Sequence, residues 1–592
     1  MQFKIKNLKL KISTEKQGFS VVEALLAGSL FILIVSAFIG AVIYGEESTA
    51  TAGNAARGAG ITEEGLEAAR NIRDGGFANL TAGNHGLAVS GGQWIFSGTS
   101  DVVNIFTREI NVALNSLGSG SRSITASSAW TATPTRNVST SIFSYLTNWR
   151  GCRGGMLVYA NGGTTSDDMR YRILKGNDAS DCTWSTPAAA ADIDAGTTNR
   201  RARAVQVYPS ATRNEKVMLS RHYDGLTQYI YGQVWNGDTS TWGNVQLMSS
   251  WLLGTFLDVQ NFSGTYLANG DFMAVYSDNS TTPKFRTWNG TAWSSEVSTQ
   301  SIGGIPNYIV AKARPGTSEV MAAFFDQSSD TNTQYFNGGT YSNGSWTLHT
   351  EHASAAPVNT EELVDFAWSP NNSLKGGLIY ADSGSDKSLD IKIWTANGSG
   401  SGSWSSVANT TNQSNNIGQL AIVGRPGADE FIACDEDDRN PPRLICYKSN
   451  FTPGWTNPTN PTLTTNSDTG IQRDFHVGIE SVSGDPAIAV YSDQTSTPKL
   501  KKYTASTSTW DSGATSLSAL GAALETVRVI PYPNTDEIMI ALADTNQDLY
   551  TTVWDGANNT AYTTPAGYAF SSHGTNGSSD TDFWFDFAWD QF

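Results

Sequence analysis

The chain has 592 residues, a formal net charge of −17 and only 16% charged residues, against about a quarter in an average soluble domain. An acidic surface repels phosphate backbones, which argues against nucleic acid as a partner. Abundant Gly, Ser, Thr and Asn with 18 Trp and 21 Tyr point to many short strands joined by polar turns and argue against helical bundles.

The first element is a basic leader, residues 1–18. Lys4, Lys6, Lys9, Lys11 and Lys16 stand against a single acid, Glu15, a balance that keeps a segment on the cytoplasmic side. From Phe19 to Tyr44 the 26 residues hold one charge, Glu23. As a helix this run spans about 39 Å, more than a hydrocarbon layer of about 30 Å. Residues 19–44 are therefore expected to cross a membrane, with the rest of the chain outside. The run is too long for the apolar core of an ordinary secretory signal, and it flows into more helix. In "GEESTATAGNAARGAGITEEGLEAARNIRDGG" the residues Ile61, Gly65, Leu66 and Ala69 form an apolar stripe, and Gly75-Gly76 is the expected stop. One helix thus covers residues 19–75. A carboxylate among Val, Leu and Ala is costly without a partner. The expected partner of Glu23 is an amine on a neighbouring copy, such as the one that cleavage between Gly18 and Phe19 would create.

These residues carry a family resemblance. "QGFSVVEALLAG" resembles the class III type IV prepilin signal. The resemblance implies that a prepilin peptidase cuts between Gly18 and Phe19, that Phe19 is then N-methylated, and that Glu23 serves assembly with other pilin subunits. It also implies a single-pass protein of the inner or cytoplasmic membrane that later reaches the cell surface in a pilus. The amphipathic continuation to about Asp74 is similar to pilin helices too. Gly40 stands about where many major pilins carry a kinking proline.

Residues 76–114 read as a small β region, with "LAVSG", "QWIFSG" and "VNIFTREINVAL" alternating apolar and polar positions. Residues 115–150 are rich in Ser, Thr and Gly and read as a mobile linker. Beyond about 151 the chain repeats. An apolar strand followed by a polar turn recurs eight times, from "GGMLVYANGG" to "EIMIALADT", at spacings of about 48 to 61 residues. Aromatic hairpins such as "KFRTWNGTAWSSE" follow most of them. This predicts an all-β head over residues 151–592, a β-propeller of about eight four-stranded blades, seven being the alternative count. The terminal "DFWFDFAWDQF" echoes "VDFAWSP" from Val364. The last residues, about Phe583 to Phe592, are expected to supply the strand the first unit lacks and so close the ring.

Candidate site residues in the head follow from this frame. Asp224, Asp278, Asp326, Asp382, Asp435, Asp493 and Asp544 recur after the second strand. They cap their own turns, the favoured reading, or form a cation- or sugar-binding rim. Ca²⁺ has two candidate sites, Asp435, Asp437 and Asp438 or Asp544, Asn546 and Asp548, although no cofactor is required. Trp235, Trp242, Trp288, Trp293, Trp346, Trp404 and Trp510 pack between blades or stack on sugars, packing being favoured. Cys152 with Cys182, and Cys434 with Cys446, fit two disulfides in an exported protein, four buried thiols being the alternative. With no HExxH, GxSxG or phosphate loop in the chain, the head is expected not to be an enzyme. The reading is a minor type IV pilin-like surface protein whose propeller binds a surface glycan or protein. A type II secretion pseudopilin and a pilin-anchored surface hydrolase are the alternatives.

Overall fold

The computed structural model describes residues 20–74, 79–114, 121–133, 136–147, 153–160, 169–176, 182–194, 200–252, 259–353, 362–371, 374–382, 387–410, 415–437, 439–450, 454–467, 473–533, 535–563, 567–574 and 583–591. The chain forms two units, divided between Trp149 and Arg150.

In the first unit α1 runs from Val21 to Asp74, 54 residues without a break. It is long and apolar enough to cross a membrane, and its apolar stretch is unburied. The second half is amphipathic as the stripe predicts. Gly65, Leu66, Ala69 and Ile72 are buried, while Glu63, Glu64 and Glu67 face outward. Its buried face packs on an antiparallel sheet of β1 (Gly83–Ser90), β2 (Gln93–Ser97), β3 (Asp101–Val103), β4 (Phe106–Leu114), β5 (Ser121–Thr133) and β6 (Arg136–Thr147). The core between them holds Leu66, Ile72, Leu87, Ile110, Ile124 and Leu146. The predicted stop at Gly75-Gly76 lies outside the described residues.

The stretch read as a linker, 115–150, is corrected here. Most of it is β5 and β6, a long hairpin paired in register from Ser121↔Thr147 to Thr133↔Arg136. Ser and Thr suit a pleated surface as well as a coil, and every second side chain of β5 carries the packing. Ile124, Ala126, Ser128 and Trp130 are buried. Ser128 Oγ also donates to the carbonyl of Gly58 at 2.9 Å, fixing the hairpin to the helix. The β region read as 76–114 therefore extends to 147.

The second unit is all β. Eight antiparallel sheets of four or five strands follow one another. Their inner strands are Phe585–Trp589, Arg201–Pro209, Phe262–Tyr266, Pro306–Ala313, Val364–Trp368, Ile417–Gly424, Phe475–Ile479 and Leu524–Pro531. Each inner strand neighbours the next around a closed circuit, which is a propeller of eight blades. As expected, the chain's end closes it. Phe585–Trp589 pairs antiparallel with Gly155–Ala160 of the first blade, Phe585 opposite Tyr159 and Trp589 opposite Gly155. Pairing first and last strands leaves the ring without an open edge. Second strands such as Val320–Asp326 and Ile538–Asp544 are buried along their whole length, because each is covered on both faces by neighbouring blades.

Candidate functional site

The helix start carries the first candidate. Ser20 and Glu23 form a capping box. The Ser20 N–H donates to Glu23 Oε2 at 3.0 Å, and Ser20 Oγ accepts the Val22 N–H at 3.2 Å. The carboxylate thus satisfies an orphan amide and complements the positive end of the helix dipole. Gly18 and Phe19 lie outside the described residues. Beyond Glu23 the side chains of Leu25, Leu26, Phe31, Ile32, Leu33 and Phe38 are all exposed.

In the propeller the predicted acidic positions act mostly as turn caps. Asp326 Oδ1 accepts the N–H groups of Ser328 and Asp330 at 2.8 and 3.2 Å, and Asp544 Oδ1 those of Asn546 and Asp548 at 3.0 Å each. Asp224 and Asp278 do the same, while Asp435 is buried within its strand. Of the Ca²⁺ candidates, Asp544 is committed to those amides and to the Tyr550 hydroxyl. Asp437 is held by Arg439 at 2.6 Å and Arg443 at 3.4 Å, and Asp438 lies outside the described residues. Among the described residues no cluster of three His, Cys, Asp or Glu is placed to hold a metal. Cys434 and Cys446, directly opposite on neighbouring strands, form a disulfide. Cys182 is disulfide-bonded, and Cys152 lies outside the described residues. Trp235, Trp288, Trp346 and Trp510 are buried and Trp242, Trp293 and Trp404 half-buried. Trp293 Nε1 donates to the Asn244 carbonyl of the preceding blade at 2.9 Å. These rings hold blades together.

A second candidate, invisible in the sequence reading, lies on the propeller axis. The inner strands are latched in pairs. Side chains of the first, third, fifth and seventh blades accept backbone N–H groups from the strand that follows. Asp586 takes Val207 at 2.9 Å, Ser263 takes Ala311 at 3.1 Å, Asp365 takes Ile422 at 3.0 Å and His476 Nδ1 takes Val529 at 3.2 Å. Three residues earlier, just ahead of these strands, stand Phe583, Gln260, Glu362 and Arg473. Arg473 Nε donates to Glu362 Oε2 at 2.6 Å, and its guanidinium lies 4.5 Å from the Phe583 ring centre. Arg528 pairs with Asp586 at 2.9 Å. Gln260, Glu362, Asp365, Arg473, His476 and Arg528 line a cavity of about 180 Å³.

Its electrostatics are those of a confined polar pore. Burial raises the Asp365 carboxyl to about 6, with Lys312 opposing the rise. Burial, reinforced by Arg528, Arg473 and Lys312, holds the His476 imidazole well below its usual range. His476 is thus neutral, and because Nδ1 accepts from Val529, the hydrogen sits on Nε2. A signal for these residues did exist, a polar side chain recurring inside the apolar first strands "YIVAKARP", "LVDFAWSP", "FHVGIESV" and "TVRVIPYP".

No family model matches the chain, and no curated protein matches it. Solved structures do. A periplasmic gluconolactonase of Pseudomonas aeruginosa is similar at 8% identity and a TM-score of 0.37, over 62% of this chain and 98% of that one. A lectin of Aleuria aurantia in complex with Fucα1-6GlcNAc is similar at 10% identity and a TM-score of 0.31, over 64% and 96%. A post-proline cleaving enzyme of Rickettsia typhi is similar at 10% identity and a TM-score of 0.34, over 67% and 58%. The likeness is one of architecture. It nevertheless corrects the expectation that the head is not an enzyme. Two of these three similar structures are enzymes.

Proposed function

We propose that the chain is a type IV pilin-like surface protein that assembles through α1 and displays its propeller for binding. The observation that supports this most strongly is the first half of α1, an apolar helix exposed on every side in a molecule whose remaining elements are packed. Exposed apolar surface of that extent calls for a bilayer or for neighbouring helices. A pilin helix uses both in turn, first the membrane and then the packed filament. Glu23 near its start caps the helix and in the filament meets the new amine of an adjacent Phe19. Processing by a prepilin peptidase supplies that amine. The sheet of β1 to β6 packs on the second half of α1, so that helix and sheet form one unit. A head of eight blades is bulky for a repeating subunit, which favours a minor position in the filament. Its partner is a surface glycan or protein.

The test is the variant Glu23→Ala, followed by antibodies against the propeller on sheared surface filaments. The expected outcome is normal cleavage in the membrane fraction with severalfold less head antigen in filaments. Unchanged incorporation would contradict the role of Glu23, and head antigen absent from the filaments of the unaltered protein would contradict the pilin reading.

A further inference from the structure

The axial cavity of the propeller is lined by several hydrogen-bond donors. Each carboxylate oxygen of Glu362, Asp365 and the neighbouring Asp586 already accepts a hydrogen bond from the protein. Both oxygens of Glu362 accept from Arg473. Asp586 accepts from Arg528 and from the Val207 amide. Asp365 accepts the amides of Phe366 and Ile422. Among the described residues, Lys312, His476 and Gln260 bring to the cavity donors that have no hydrogen-bond acceptor. Lys312 is exposed, and among the described residues its ammonium makes no ion pair or hydrogen bond, although its charge is felt by both Asp365 and His476. His476 keeps its Nε2–H, since Nδ1 is the acceptor for Val529. Gln260 is only 3% exposed, yet among the described residues its side-chain amide has no partner. That amide borders an open volume of about 180 Å³. That volume is below the range of drug-sized pockets, which starts near 300 Å³. It suits a ligand of one sugar ring.

The donors differ in kind. Lys312 and His476 bring a cation and a neutral N–H to the same cavity, the pair of donors that charge-assisted bonds to a carboxylate use. Gln260 lies three residues before Ser263, just ahead of its strand, and can both give and accept a hydrogen bond, as a hydroxyl requires. We propose that the propeller channel binds a small hydroxylated carboxylate of monosaccharide size, its carboxylate held by Lys312 and His476 and a hydroxyl held by Gln260. The site adds a ligand class to the binding role suggested for the head. It does not depend on assembly through α1, because binding is read on the dispersed chain.

The experiment is isothermal titration of the full chain in detergent with D-glucuronate, D-glucose and acetate, using the unaltered protein, Lys312→Met and Gln260→Glu. Lys312 is exposed and bears no ion pair, so its replacement leaves the fold intact, which an unchanged thermal melt verifies. The expected result is saturable binding of glucuronate, at least tenfold weaker binding of glucose, and weaker binding of acetate than of glucuronate. Lys312→Met should lower glucuronate affinity at least tenfold, and Gln260→Glu should lower it through repulsion of the carboxylate-bearing ring. Glucose binding as tightly as glucuronate, glucuronate binding unaffected by Lys312→Met, or no binding of glucuronate at millimolar concentration would each overturn the proposal.

Discussion

The two halves of α1 meet their surroundings in opposite ways. A Cβ added at Gly28, Gly40, Gly45 or Gly53 would find nothing within 4 Å, whereas at Gly58 it would lie 2.7 Å from the Trp130 ring. At Gly65 it would lie 2.8 Å from the end of Ile110. One helix is thus finished along its second half and unfinished along its first. The propeller stands at the far extreme, with large side chains such as Trp288, Trp394 and Trp554 fully buried and its end strands paired to each other. Helical propensity alone does not hold a long apolar segment in water. The contrast locates where the molecule still needs company, and substitutions along the gradient measure it.

The closed extreme should feel truncation most. Trp554 is buried, and its Nε1 donates to Glu480 Oε1 at 2.7 Å. Trp554→Ala is expected to cost the propeller about 3–5 kcal/mol, read by denaturant unfolding, with the transition of the first unit unmoved. Coincident loss of both transitions would break the distinction between units. Next comes Glu480 itself. Burial raises its carboxyl from 4.5 to about 7. The folded state therefore keeps a proton that the unfolded state has released, and stability falls as pH rises between those values. Glu480→Gln should flatten that slope, a difference on the order of 3 kcal/mol between the two ends. An unchanged pH profile would sink this assignment.

The packed half of α1 should respond more modestly. Gly58→Val drives a side chain into Trp130 and should cost the first unit about 1–3 kcal/mol, seen in thermal melts. The open half should respond least. Gly40→Ala in detergent is expected to stabilise the helix by up to about 1 kcal/mol, since nothing in the chain opposes the methyl group. If Gly40→Ala instead lowers filament yield while leaving the dispersed protein intact, neighbouring helices pack at that position, which sharpens the contrast.

Much of this architecture could be read from residues. The recurrence of apolar strands gave the blades because each second strand is covered on both faces and so stays apolar throughout. The echo of "VDFAWSP" in the last residues marked the closing strand, since both are inner strands with the same surroundings. The long helix was legible from one charge in 26 residues. Ser20-x-x-Glu23 was legible as a capping box too, but the cost of a carboxylate in an apolar run drew attention from it. The hairpin of β5 and β6 was missed because Ser, Thr and Gly mark linkers and solvated strands alike, and only contact with Gly58 and Thr62 separates the two. The axial site was missed for a different reason. Gln260, Lys312 and His476 come from separate blades, and only closure of the ring brings them to one cavity.

The central claim is that the exposed half of α1 is the processed, assembling end of a pilin-like subunit. Mass spectrometry of the N-terminal peptide from protein isolated at the cell surface tests it most directly. The account predicts a peptide that begins at Phe19 and carries one added methyl group on its α-amine. A peptide that retains any of residues 1–18, or one that begins further along the chain, would contradict it.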